Sequence, residues 1–198
     1  MPTGIRSIGS KLPEIIEDAE NGLSDASRAL FARLFDHFRA LDVQVQELEG
    51  EINAWHRADT ASKRLQAIPA VGPLTASALV GSVGDPTVFH NGRQFAAWLG
   101  LVPRQSSSGG KTTLLGISKR GDTYLRTLLI HGARSVLLQL KRHPDRADGW
   151  LARLAARRSP NIAAVALANK HARIVWALLA HGRDYQAAYS SPRGVAAI

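Results

Sequence analysis

Residues 61–85 read ASKRLQAIPAVGPLTASALVGSVGD, and their punctuation sets the architecture. A short helix ends at Ile68, Pro69-Ala70-Val71-Gly72 form a tight turn, and a second helix runs from Pro73 to Gly84. Proline suits a first helical turn because its missing N–H has no partner there, and glycine suits the position just past a last turn. Two helices joined this way form a helix-hairpin-helix. Such a turn can offer the backbone N–H groups of Val71 and Gly72 to a phosphate at a helix N-terminus. The same pattern also describes an ordinary αα-hairpin, and Ala70 stands where nucleic-acid-binding hairpins usually carry glycine.

Upstream, Ser10 and Pro13 predict the first turn of a short helix that ends near Gly22. From about Ser24 to Arg57 the apolar positions Leu34, Phe38, Leu41, Val45, Leu48, Ile52 and Trp55 alternate in steps of four and three. This is a heptad seam, which serves either a coiled coil between copies or a helix packed on its own chain. Downstream, turns at Asp85-Pro86 and Asn91-Gly92 precede a helix over Arg93–Leu99 that puts Phe95 and Trp98 on one face, as core rather than as base-stacking platforms. Asp122 predicts the N-cap of a strong helix with an apolar face through Leu125, Leu129, Val136 and Leu140. Arg126 and Arg134 fall off that face. A helix near Trp150–Arg158 follows, then a last long one capped by Asn161 and ending at Gly182. The expected class is all-α, with no convincing sheet. Residues 1–60 form a helix and a coiled-coil segment, residues 61–185 a helical domain containing the helix-hairpin-helix, and residues 186–198 a disordered tail.

Charge is segregated along this plan. Residues 1–60 carry 6 Lys and Arg against 11 Asp and Glu, a balance of −5, whereas residues 61–198 carry 19 against 5, a balance of +14. A basic excess confined to one part points to nucleic acid, because neutralising phosphates releases counterions. Cysteine is absent, which excludes disulfides, zinc–thiolate sites and cysteine nucleophiles. No apolar run approaches the ~20 residues of a membrane span and the N-terminus lacks a signal-peptide core, so a cytoplasmic, nucleoid-associated protein is expected.

The most basic and least apolar stretch is PRQSSSGGKTTLLGISKRGDTYLR, residues 103–126. Its serines at 106, 107 and 108 lie among Arg104, Lys111, Lys119, Arg120 and Arg126. A solvated flexible loop explains such a run; so does a phosphate-binding loop with a hydroxyl nucleophile, whose flanking cations would stabilise charge during attack. No general base accompanies the serines. Only five acids follow residue 60, and turn or cap roles account for Asp85 and Asp122, so no metal site is expected within this chain.

Three blocks carry a resemblance: LQAIPAVGPLTASALVGSVGD (65–85), GRQFAAWLGLVPRQSSSGGK (92–111) and GISKRGDTYLRTLLIHGAR (116–134). Together with the preceding heptad helix and ANKHARIVWALL (168–179), they resemble the C-terminal half of IS110/IS1111-family transposases. The resemblance extends from about Arg6 to Tyr185. It implies DNA transposition guided by a structured RNA, assembly through residues 24–57 as a homo-oligomer, and a serine nucleophile just before a glycine. That serine is Ser108 before Gly109, with Ser107 the nearest alternative. The resemblance also implies nucleic-acid contact by Arg104, Gly109, Gly110, Lys111, Lys119, Arg120 and Arg126. In that family an N-terminal RuvC-like domain holds four metal-binding acids; the chain is expected to lack it, so Mg²⁺ is expected only with such a domain. The alternatives are a non-catalytic helix-hairpin-helix module and a remnant of a decayed mobile element.

Overall fold

The computed structural model describes residues 5–108, 111–143 and 149–187; the expected tail falls almost wholly outside them. The chain divides into two compact units, Met1–Ile52 and Asn53–Ile198.

The first unit holds helix α1 (Ile5–Glu17) and most of α2 (Asp25–Ala58). Helix α1 starts earlier than the sequence reading expects, so Ser10 and Pro13 lie inside it rather than at its first turn. Arg28 of α2 ties the two helices, donating from Nη1 to the Ile16 carbonyl at 2.6 Å and from Nη2 to Asn21 Oδ1 at 2.8 Å. The seam expected along α2 is mostly bare: Leu34, Leu41, Val45, Leu48 and Trp55 are exposed, Leu48 to 57%, while Phe38 and Ile52 are half-buried.

The second unit is built around α8 (Pro160–His181). Helices α6 (Thr123–Arg142), α5 (Gly92–Trp98), α3 (Thr60–Gln66) and α7 (Gly149–Arg157), with a 3-10 turn at Pro86–Val88, pack on it. Ser159, not Asn161, is the N-cap of α8, with Pro160 in its first turn; Asn161 instead accepts from Arg134 Nη2 at 3.3 Å. The all-α class holds, with one addition, a two-stranded antiparallel sheet of β1 (Pro103–Ser108) and β2 (Lys111–Ile117).

Helix α8 is long and apolar enough to cross a membrane, with a mean hydropathy of 1.3. The expectation that no segment comes near that length is therefore corrected. Its apolarity is used in the core, where Ala163, Ala164, Leu167, Ala168, Ala172, Val175 and Leu178 are buried. Small residues let the neighbours approach closely: a Cβ on Gly92 of α5 would lie 3.0 Å from Arg173 Cα. Phe95 is fully buried, with Phe89 edge-on at 5.2 Å and Trp98 at 5.6 Å, as expected for core aromatics.

Residues 61–85 form two helices, α3 and α4 (Pro73–Val83), joined by a short turn. Asp59 N-caps α3 by accepting from Ser62 N at 2.6 Å. His56 bridges onto the same helix through Ser62 Oγ at 2.6 Å and Gln66 Oε1 at 2.9 Å. Ala70 has φ +61, the left-handed conformation that explains the usual glycine here. An alanine in that region costs roughly 1–2 kcal/mol. The turn stays in place because Gly132 of α6 sits beneath it, where a Cβ would come within 2.5 Å of the Ala70 carbonyl oxygen.

His171 of α8 is buried, and burial, helped by the Lys170 charge, pushes its pKa down to about 4. The unfolded chain then takes up a proton near pH 6.5 that the folded chain refuses. Stability is full above that pH and falls as pH drops towards 4, by about 3 kcal/mol in total. Urea midpoints between pH 7 and pH 4 should show this loss, and His171→Leu should remove that part of the slope.

Candidate nucleic-acid interface

The Ser/Gly/Lys stretch forms an arm rather than an irregular loop. Pairing runs Ser108↔Lys111, Ser107↔Thr112, Ser106↔Thr113 and Gln105↔Leu114, with an irregularity before Pro103↔Ile117. Only Gly109 and Gly110 separate the strands; both lie outside the described residues. The expectation of no sheet fails here because cross-strand pairing of Ser, Thr and Leu needs no buried face. The signal was present in SSS-GG-KTT, since Gly-Gly is one of the pairs that two-residue hairpin loops favour.

Arg104, Gln105, Ser106, Ser107, Thr113, Leu114 and Leu115 are all exposed. Strand alternation puts positions 106 and 113 on one face and positions 105, 107 and 114 on the other. Ser107 Oγ accepts from Gln105 Nε2 at 2.8 Å, so it already has a partner on its own face.

The base of the arm is tied by backbone hydrogen bonds and close backbone approach. Ser118 N donates to the Val102 carbonyl at 2.8 Å and Lys119 N to the Gly100 carbonyl at 3.1 Å. Gly100 and Gly121 both adopt positive φ, and a Cβ on either would overlap backbone of the facing segment. Asn169 of α8 donates to the Leu101 carbonyl at 3.0 Å. Arg126, only 8% exposed, donates from Nη1 to the Leu99 carbonyl at 3.0 Å and from Nη2 to Thr123 Oγ1 at 3.0 Å. Its guanidinium closes the C-terminal end of α5 and is committed within the fold. A periodicity reading puts residue 126 off the apolar face; only the three-dimensional approach of α5, 27 residues earlier, explains its burial.

Lys119 and Arg120 are exposed at this base, with Lys119 held at φ +56. No Asp or Glu occurs between Asp85 and Asp122, an interval that includes Arg93, Arg104, Lys111, Lys119 and Arg120. Both bounding carboxylates serve as caps. Asp85 accepts from Thr87 Oγ1 at 2.6 Å and Thr87 N at 2.8 Å, which lowers its pKa, and Asp122 accepts from Leu125 N at 2.9 Å. Among the described residues the ion pairs are Lys11–Glu14 and Arg64–Asp184, so no carboxylate neutralises the exposed cations of the arm's base. No three described His, Asp or Glu side chains gather closely enough to hold a metal ion.

At the turn between α3 and α4, Val71 is buried and its N–H donates to the Ile68 carbonyl at 3.0 Å. Gly72 is exposed and N-caps α4 with no side chain to satisfy the first helical turn.

Residues 62–148 match the model of the IS116/IS110/IS902 transposase family. A probable family 20 transposase from Pseudomonas aeruginosa is 52% identical over 157 residues, 79% of this chain and 46% of that protein. The transposase for insertion sequence element IS1111A of Coxiella burnetii is 44% identical over 186 residues, 94% of this chain and 51% of its own. That for IS1328 of Yersinia enterocolitica is 41% identical, covering 92% of this chain and 54% of its own. The chain thus spans about half the length of the curated relatives it matches. On the family model and these relatives together, the chain belongs to the IS116/IS110/IS902 family of transposases.

Proposed function

We propose that this chain is the nucleic-acid-binding, serine-bearing part of a DNA-transposing recombinase. The β1–β2 arm is its contact surface and Ser108 its nucleophile. The observation that carries this reading is the arm itself, exposed on both faces, flanked by unneutralised cations, and fixed at its base by backbone-to-backbone contact. Such an element orders hydroxyls and cations in advance of a phosphate, so little entropy is lost on binding. Attack by the Ser108 hydroxyl on a phosphodiester forms a serine–phosphate ester and releases one strand end as a hydroxyl. The serine proton passes to a base outside the described residues, a proton is delivered to the departing strand oxygen so that it leaves as a hydroxyl, and attack by a new strand end reverses the step.

Arg104, Lys111, Lys119 and Arg120 contact phosphates in this reading, and Gly72 offers the open N-terminus of α4. Val71 and Arg126 take no part in contact, because their donors are used inside the fold. Mg²⁺ and its carboxylates come from a RuvC-like part, a structured RNA is the second nucleic-acid partner, and the bare seam of α2 joins copies of the chain.

The test combines this chain with the RuvC-like domain of a relative, branched DNA, element RNA and Mg²⁺. A covalent DNA–protein adduct is expected, and Ser108→Ala should abolish it while DNA binding stays. An adduct lost only in Ser107→Ala or only in Ser106→Ala would move the nucleophile to that serine, and one that survives all three changes would end the serine reading.

A further inference from the structure

We infer that the arm grips duplex DNA as a β-ribbon and inserts Leu114 between adjacent base pairs as a wedge. The inference rests on the arm being the nucleic-acid contact, and it adds what that contact does to the duplex. Leu114 is 66% exposed and Leu115 47%, on a ribbon whose main packing is strand to strand. A lone surface leucine is ordinary. Here the leucine lies on a projecting element with no acid, beside cations that neutralise phosphate rather than bind an apolar protein face.

Leu114 is the wedge rather than Leu115 because it holds a regular register position opposite Gln105. By alternation it shares a face with Gln105 and Ser107, whose hydrogen bond gives that face a fixed polar strip. Side-chain amide and hydroxyl groups suit the acceptors of the minor groove, and an apolar residue entering from that groove unstacks a base step and kinks the helix. Ribbon strands are known to enter either groove. Positions 108 and 114 sit on different strands and are not register partners, so wedge and nucleophile are separable by substitution.

The experiment uses the full chain and a short duplex with 2-aminopurine beside a TA step, the type of step that unstacks most easily. Fluorescence should rise several-fold on binding, and end-to-end energy transfer should report a bend. Leu114→Thr, which keeps a strand-favouring side chain, should remove both signals while weakening binding no more than about tenfold, or about 1.4 kcal/mol. Its salt dependence should match that of the unaltered chain. Bound DNA without a fluorescence rise, or an equal rise with Leu114→Thr, overturns the wedge alone. Failure to bind duplex at all overturns the nucleic-acid reading and the wedge with it. A Leu114→Thr change that alters sedimentation of the free chain instead assigns the leucine to a contact between copies, and also overturns the wedge.

Discussion

Gly121→Ala is expected to cost about 3–4 kcal/mol, enough to leave much of the second unit unfolded at 37 °C. Two effects add. Gly121 has φ +98, where an L side chain is strained, and its Cβ would overlap the Trp98 carbonyl oxygen. That neighbour is backbone at the end of α5, so it cannot swing aside as a flexible side chain would. Moving it would also displace Gly100, whose carbonyl accepts from Lys119. Urea unfolding followed by tryptophan fluorescence measures the cost, and a loss below about 1 kcal/mol would show that the crossing at the arm's base is not tight.

Arg126→Met is the second large effect, about 2–3 kcal/mol. Methionine keeps most of the aliphatic volume but supplies no donor for the Leu99 carbonyl, which sits in the core beside a fully buried side chain. The loss should be local as well as global. Amides that close the arm's base, Ser118 and Lys119, should exchange hydrogen faster than those of α8. Arg126→Lys should restore only part of the stability, because one ammonium cannot reproduce the fork that reaches both Leu99 and Thr123. Full stability in Arg126→Met would return the residue to the exposed contacts that the sequence suggests.

Much of this was legible in the chain, for reasons that can be named. Pro73 and Gly84 delimit α4, and Asp122 caps α6 through Leu125, because caps act over a few residues. The heptad spacing located α2 to within a residue or so. Ala70 was legible as an anomaly: a position that favours glycine holds alanine, and the backbone there has positive φ. What escaped depends on distant partners. The arm has no buried face to leave a hydrophobic pattern, so SSS-GG-KTT reads as a loop until its two strands are paired. Arg126 reads as a surface cation until the end of α5 closes over it. Val71 looks available to a phosphate until its N–H is found on Ile68. Which of the candidate residues are free for contact and which are committed to supporting the fold therefore needed the fold itself.

The central claim is that the arm and its base meet phosphates, and the dependence of duplex binding on salt tests it most directly. Each phosphate neutralised contributes about 0.9 to the slope of log affinity against log salt concentration. The triple variant Arg104→Ala, Lys119→Ala and Arg120→Ala removes three exposed cations without touching the buried Arg126. The account predicts a slope shallower by about 2–3 than that of the unaltered chain. An unchanged slope would mean that DNA, if bound, is held elsewhere on the molecule.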